Sequence, residues 1–193
     1  MRNSVLFLMV LFLMTASGLF GQTTAAEYRD RASEKFRNED YDGAVADCTK
    51  AIELEPAFAG AYAYRGYVRY AKNEYIDAMV DLERAIELDP KDFEAYFHRG
   101  ILRYIKNDRD GAMADWTKAM EIEPRYFKPY FFRGVTRLKE KDYDGAIADL
   151  TKAIQPFPDI AAYYLKRAEA YRAVGKLDLA KADEEKAAEL MKP

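Results

Sequence analysis

The sequence is short of the residues from which most active sites are built. Among 193 residues there is one cysteine, Cys48, and one histidine, His98. A single cysteine permits no internal disulfide, and a single histidine cannot supply a two-histidine metal motif. Serine is almost as scarce, and past the opening segment only Ser33 remains. No CxxC pair, glycine-rich phosphate loop or calcium-loop pattern is present, so no metal or cofactor is expected. Neither sign of charge dominates: 30 basic and 33 acidic residues are interleaved, for a net charge of −3. That balance gives no footprint for nucleic acid or an anionic membrane surface. The carboxylates fall at regular spacing on helix faces rather than as an acid/base dyad, so catalysis is not expected. Gly/Ser linkers and low-complexity tracts are also missing, which leaves no internal domain boundary.

Periodicity fills the chain instead. Pro56, Pro90, Pro124 and Pro158 stand 34 residues apart, each closing a near-copy of one phrase, from YDGAVADCTKAIELEP to YDGAIADLTKAIQPFP. Tyr28, Tyr62, Tyr96, Tyr130 and Tyr164 recur at the same period, each followed three residues later by Arg31, Arg65, Arg99, Arg133 and Arg167. In the second copy Tyr62, Arg65, Gly66 and Arg69 fall at i, i+3, i+4 and i+7, one face of a helix. Ala78, Asp81, Leu82 and Ala85 repeat that spacing on a second helix. Each proline ends a helix by removing a donor and disfavouring the α region for its predecessor. Pro129 differs, because it stands where a helix begins and its fixed φ suits that place. A lone helix pair cannot bury its apolar stripe, so neighbouring pairs must stack.

Small residues complete the signature: Gly66, Gly100 and Gly134 after the Arg, Tyr41, Tyr75 and Tyr143 at the turn, and alanines at Ala44, Ala78, Ala112, Ala146 and Ala180. With the alanines before the prolines (Ala51, Ala85, Ala119, Ala153), this pattern resembles the tetratricopeptide repeat family over residues 25 to 193. Arg109 and Leu177 depart from it at the turn, and the fourth copy ends QPFP. The resemblance implies an all-α superhelix of five helix–turn–helix repeats, 25–58, 59–92, 93–126, 127–160 and 161–193. The last helix would act as a cap, since Lys181, Glu184 and Ala188 stand where earlier copies are apolar.

The opening segment is of another kind. Arg2 precedes the apolar run Val5 to Met14, and small residues follow at Thr15, Ala16, Ser17 and Gly18. This reads as a secretory signal over residues 1–21, cleaved between Gly18 and Ala26. A retained inner-membrane anchor is the alternative, but the run is short of the ~20 residues a spanning helix needs. Export, to a bacterial periplasm or beyond, is the expectation, with no stable span after cleavage.

Two periodic features bear on function. The Arg stripe faces Asp47, Asp81, Asp115, Asp149 and Asp183 across the turn, with Lys35, Arg69, Arg103 and Arg137 one helical turn later. One carboxylate per Arg suits a ladder of structural pairs better than a cation row for an acidic ligand. The resemblance also implies a concave groove lined by the other face of the first helices. Its candidate partner-binding residues are Ala63, Tyr67, Tyr70, Phe97, Ile101, Tyr104, Phe131, Val135 and Leu138. The Lys/Asn pattern with which some family members clamp a terminal carboxylate is absent, since Ala63, Phe97, Tyr67 and Ile101 hold those places. The expected function is an exported scaffold that binds another protein, one of the cell envelope. Self-assembly and binding of a small apolar or lipid-like ligand are the alternatives.

Overall fold

The computed structural model describes residues 23–192. The segment read as a signal, and its cleavage site up to Gln22, lie outside the described residues. Among the described residues ten helices follow one another: α1 Ala25–Arg37, α2 Tyr41–Leu54, α3 Ala59–Ala71, α4 Tyr75–Leu88, α5 Phe93–Ile105, α6 Arg109–Ile122, α7 Lys128–Lys139, α8 Tyr143–Ile154, α9 Ala161–Ala173 and α10 Leu177–Leu190. Odd and even helices pair as antiparallel hairpins, and each even helix packs on the next odd one. Successive odd helices also touch (α1 with α3, α3 with α5, α7 with α9), more closely than successive even helices do. The stack therefore bends with its odd helices inside, and the inner face is theirs.

The turns within hairpins are built by one device. Glu39, Asn73, Asn107, Lys141 and Gly175 all take positive φ, between 62° and 77°, at the same point of the 34-residue period. A left-handed residue there lets the chain reverse within three residues. The next helix is then capped where the sequence allows. Asp40, Asp108 and Asp142 accept from the backbone N–H groups of Gly43, Gly111 and Gly145 at 2.9–3.0 Å. The place of the acceptor is taken by Glu74 and Lys176 in the second and fifth copies, which make no such bond. Pro129 stands in the first turn of α7 as its fixed φ requires.

Small residues set how closely the two helices of a hairpin approach. A Cβ at Gly100 would lie 2.5 Å from the Trp116 Nε1, and one at Gly66 would lie 2.8 Å from the Leu82 Cγ. Both are inside van der Waals contact, so glycine is needed at these two crossings. Cys48, Leu82, Trp116 and Leu150 occupy one periodic position and are fully buried. Trp116 donates its indole N–H to the Phe97 carbonyl at 3.3 Å, which satisfies its polar edge in the core. Burial pushes the Cys48 thiol up to about 12, so it is a packing residue and not a nucleophile at neutral pH.

The Arg–Asp ladder is present at every rung. Arg65, Arg99, Arg133 and Arg167 each donate Nε and Nη2 to both oxygens of Asp81, Asp115, Asp149 and Asp183 at 2.7–2.9 Å, and Arg31 does the same to Asp47. A second cation joins four rungs: Lys35, Arg69, Arg103 and Arg137 lie 2.7–3.0 Å from the same carboxylates. Each ladder Arg also lies over the ring of the tyrosine three residues before it, at 4.6–5.8 Å. Arg65, Arg133 and Arg167 reach back to the previous repeat, where Nη1 donates to Thr49, Thr117 and Thr151 at 2.9–3.1 Å. At the equivalent place facing Arg99 the chain has Glu83.

At the C-terminal end, α10 covers Ile154, which clusters with Tyr164 and Ala187. Its outer side carries exposed Lys181 and half-exposed Glu184, the latter bound to Arg172. Leu177 and Leu179 remain exposed beside them, so this surface is mixed rather than wholly polar.

The ladder predicts unequal consequences for two arginines. Arg99→Ala leaves the buried Asp115 with Arg103 alone and should destabilise by about 2–4 kcal/mol. Arg172→Ala removes an exposed, solvent-screened pair with Glu184 and should leave the unfolding midpoint nearly unchanged. Denaturant unfolding of both variants checks this, and equal midpoints would mean the Arg face is solvated.

Candidate functional site

The inner face of the odd helices is where an extended partner could lie. Six of the nine residues expected there are partly open: Ala63, Tyr67, Tyr70, Tyr104, Phe131 and Val135. Phe97, Ile101 and Leu138 are instead buried, at 3%, 7% and 7% exposure, and the expectation of a continuous open strip is corrected at these positions. These side chains are taken up by the even helix of their own hairpin. Phe97 and Ile101 join Ala112 and Trp116, while Leu138 joins Ala146 and Leu150.

The concavity lies nearer the N-terminal half and includes side chains that hydrophobic periodicity did not single out. A pocket of about 270 Å³ opens between α1, α3, α5 and α7. Gly60, Ala63 and Ala95 form its small-residue floor, and Tyr64, Tyr67 and His98 supply aromatic walls. Arg29, Lys128, Asp92 and Glu94 stand around them. The strip from the sequence meets this pocket only at Ala63 and Tyr67. Searching for apolar residues could not find its polar half. The signal available was positional: Gly60, Glu94 and Lys128 share one periodic place, and Tyr64 and His98 share another.

The walls are held by aromatic contact. Tyr67 lies 4.8 Å from Phe36, 5.8 Å from Tyr64 and 4.8 Å from His98, centroid to centroid. The Arg29 guanidinium lies 5.5 Å over the Tyr64 ring and also pairs with Asp30 at 3.0 Å. Asp92 accepts from the Ala95 N–H at 2.9 Å as the cap of α5. Burial nonetheless raises its carboxyl above the usual range, the backbone donors only partly opposing it. His98 Nδ1 has neither solvent nor a partner among the described residues. Burial, with a smaller contribution from Lys128, lowers its imidazole to about 4. At neutral pH the ring is therefore uncharged, with one donor and one acceptor edge.

Among the described residues no group of His, Cys, Asp and Glu is placed to hold a metal, and no helix is long and apolar enough to cross a membrane.

Residues 66–106 match the family model described as TPR repeat. Among solved structures, one of MamA is 23% identical with a TM-score of 0.72, covering 82% of this chain and 93% of that one. MamA from Desulfovibrio magneticus RS-1 is 16% identical with a TM-score of 0.74, covering 88% and 96%. YrrB, described as a TPR protein with an unusual peptide-binding site, is 20% identical with a TM-score of 0.70, covering 92% and 91%. The fold is the tetratricopeptide-type superhelix. No curated protein matches the sequence. The pocket thus lies on the inner face of a tetratricopeptide-type array, between its first four odd helices.

Because His98 is the sole histidine, its environment can be read directly. A base with a lowered folded pKa binds its proton more readily when unfolded. Its contribution to stability is thus complete above the ordinary value of about 6.5 and erodes as pH falls from there to about 4. Proton NMR of the single imidazole should give a midpoint near 4, and a midpoint near 6.5 would show a solvated ring.

Proposed function

We propose that this chain is an exported scaffold that binds a segment of another protein along the inner face of its superhelix. The observation that supports this most is the concavity itself, with Tyr64, Tyr67 and His98 in its walls and Glu94 and Lys128 at its margin. Aromatic walls offer large contact area at small loss of rotamer freedom, and flanking charges of both signs orient a peptide's polar groups. Glu94 and Lys128 make no ion pair among the described residues, so both are available to a partner. A tetratricopeptide repeat protein of similar fold, YrrB, is described as having a peptide-binding site. The ladder carboxylates are engaged by arginine and hold the hairpins together. Export rests on the sequence of residues 1–21, and the envelope partner follows from export.

Two experiments test it. Tyr64→Ala combined with Glu94→Ala and Lys128→Ala should leave the melting midpoint within a few degrees, because none of the three is fully buried. The triple variant should lose the proteins that the wild-type chain retains after crosslinking in its own cells. Full retention would move the site to the outer face or the turns. For export, sequencing the N-terminus of the native protein should find a start between residues 18 and 26, and an intact Met1 in the membrane fraction would support an anchor instead.

A further inference from the structure

The array contains a template for what the pocket holds. Ala63 shares its place in the repeat with Phe97 and Phe131. Phe97 is buried in a niche made by three rings: Tyr126 at 5.3 Å, Phe132 at 5.4 Å and His98 at 5.0 Å, all near edge-to-face. One repeat earlier, 34 residues back, the corresponding niche residues are Asp92, His98 and Tyr64. Those three, with Ala63, line the pocket. The pocket is therefore the Phe97 niche with its phenylalanine cut back to a methyl group. Its walls are more polar: where repeat three offers hydrocarbon edges from Tyr126 and Phe132, repeat two offers a carboxylate and an imidazole, with Tyr64 in the place of His98.

We propose that this pocket receives a tyrosine or tryptophan side chain from a peptide segment of the partner, replacing in trans the aromatic ring that repeats three and four carry in cis. The ring enters over Ala63, and its O–H or N–H donates toward the Asp92 carboxylate. Phenylalanine would fill the space without that hydrogen bond, and an aliphatic side chain would give up the edge-to-face contacts as well. Glu94 and Lys128 flank the entrance on successive helices at one periodic place, where the peptide backbone on either side of the ring would pass. This identification of the bound residue rests on the inner face being the binding surface.

The test uses the full mature chain, N-acetyl-tryptophanamide and N-acetyl-tyrosinamide as probes, and N-acetyl-leucinamide as the control. The His98 ring protons and the backbone amides of Gly60, Ala63 and Ala95 report occupancy by NMR. Both aromatic probes should shift these signals saturably while leaving Gly145, far along the array, unmoved. The leucine analogue should bind at least tenfold more weakly. Ala63→Phe restores in repeat two the residue found one repeat later and should abolish the shifts with the melting midpoint retained. Ala63→Leu serves the same purpose if the phenylalanine variant does not fold. Shifts that persist in a folded filled-pocket variant, or a leucine analogue binding equally well, would overturn the proposal. So would free tyrosine binding tenfold tighter than its capped amide, which would make the site one for a free amino acid. Cellular partners that Ala63→Phe still captures but the triple variant loses would leave the inner-face reading standing and remove the pocket from it.

Discussion

The bidentate pairing of one arginine with one aspartate, repeated in every hairpin, is the constraint on which the other features depend. A nearly buried carboxylate is tolerated only when its lone pairs are met, and here both oxygens accept from a planar guanidinium. The pair fixes the axial register of the two helices, because Nε and Nη2 must meet both oxygens together. That register brings Gly100 against Trp116 and Gly66 against Leu82, crossings that leave no room for a Cβ. The tyrosine beneath each guanidinium and the threonine of the preceding repeat extend the same group in two directions. One side chain thus ties its own hairpin and, at three places, the seam to the previous one.

With the register set, the inner face has little freedom. Phe97 has its neighbours imposed by the stacking of α5 on α7, and it disappears into them. Ala63 is subject to the same stacking and cannot fill the equivalent space. The concavity is a consequence of one small residue in an otherwise repeating pattern. It needs no loop rearrangement or special backbone. The binding surface and the core are made by the same side-chain positions and differ only in side-chain size.

How much was legible in the sequence follows from what periodicity can encode. The 34-residue period, the prolines and the small residues located the helices, and the Arg and Asp stripes located the ladder partners 16 residues apart. The inner face was legible as a face but not as a surface. Phe97, Ile101 and Leu138 were assigned to an open strip because their helical phase points inward. Whether an inward side chain is exposed depends on how it packs against the paired even helix and the next repeat, which periodicity does not encode. The polar half of the pocket was missed for another reason. Asp92, Glu94 and His98 belong to α5 and its cap, and they converge with Arg29 and Lys128 only after four repeats have stacked. The left-handed backbone of Glu39 and Lys141 carried no glycine to announce it.

The ladder also sorts the molecule's charge by depth. Its rungs hold nine cations, Arg31 through Arg167 with their four companions, against five aspartates. Removing these from the total leaves 21 basic against 28 acidic residues for everything outside the rungs. The formal net of −3 is therefore the sum of +4 on the rungs and −7 in the rest of the sequence. The rung aspartates are 2–9% exposed while their cations are 14–46% exposed, so each rung turns its cations outward. A net charge of −3 adds long-range repulsion between copies and attraction to basic surfaces, both screened at physiological salt.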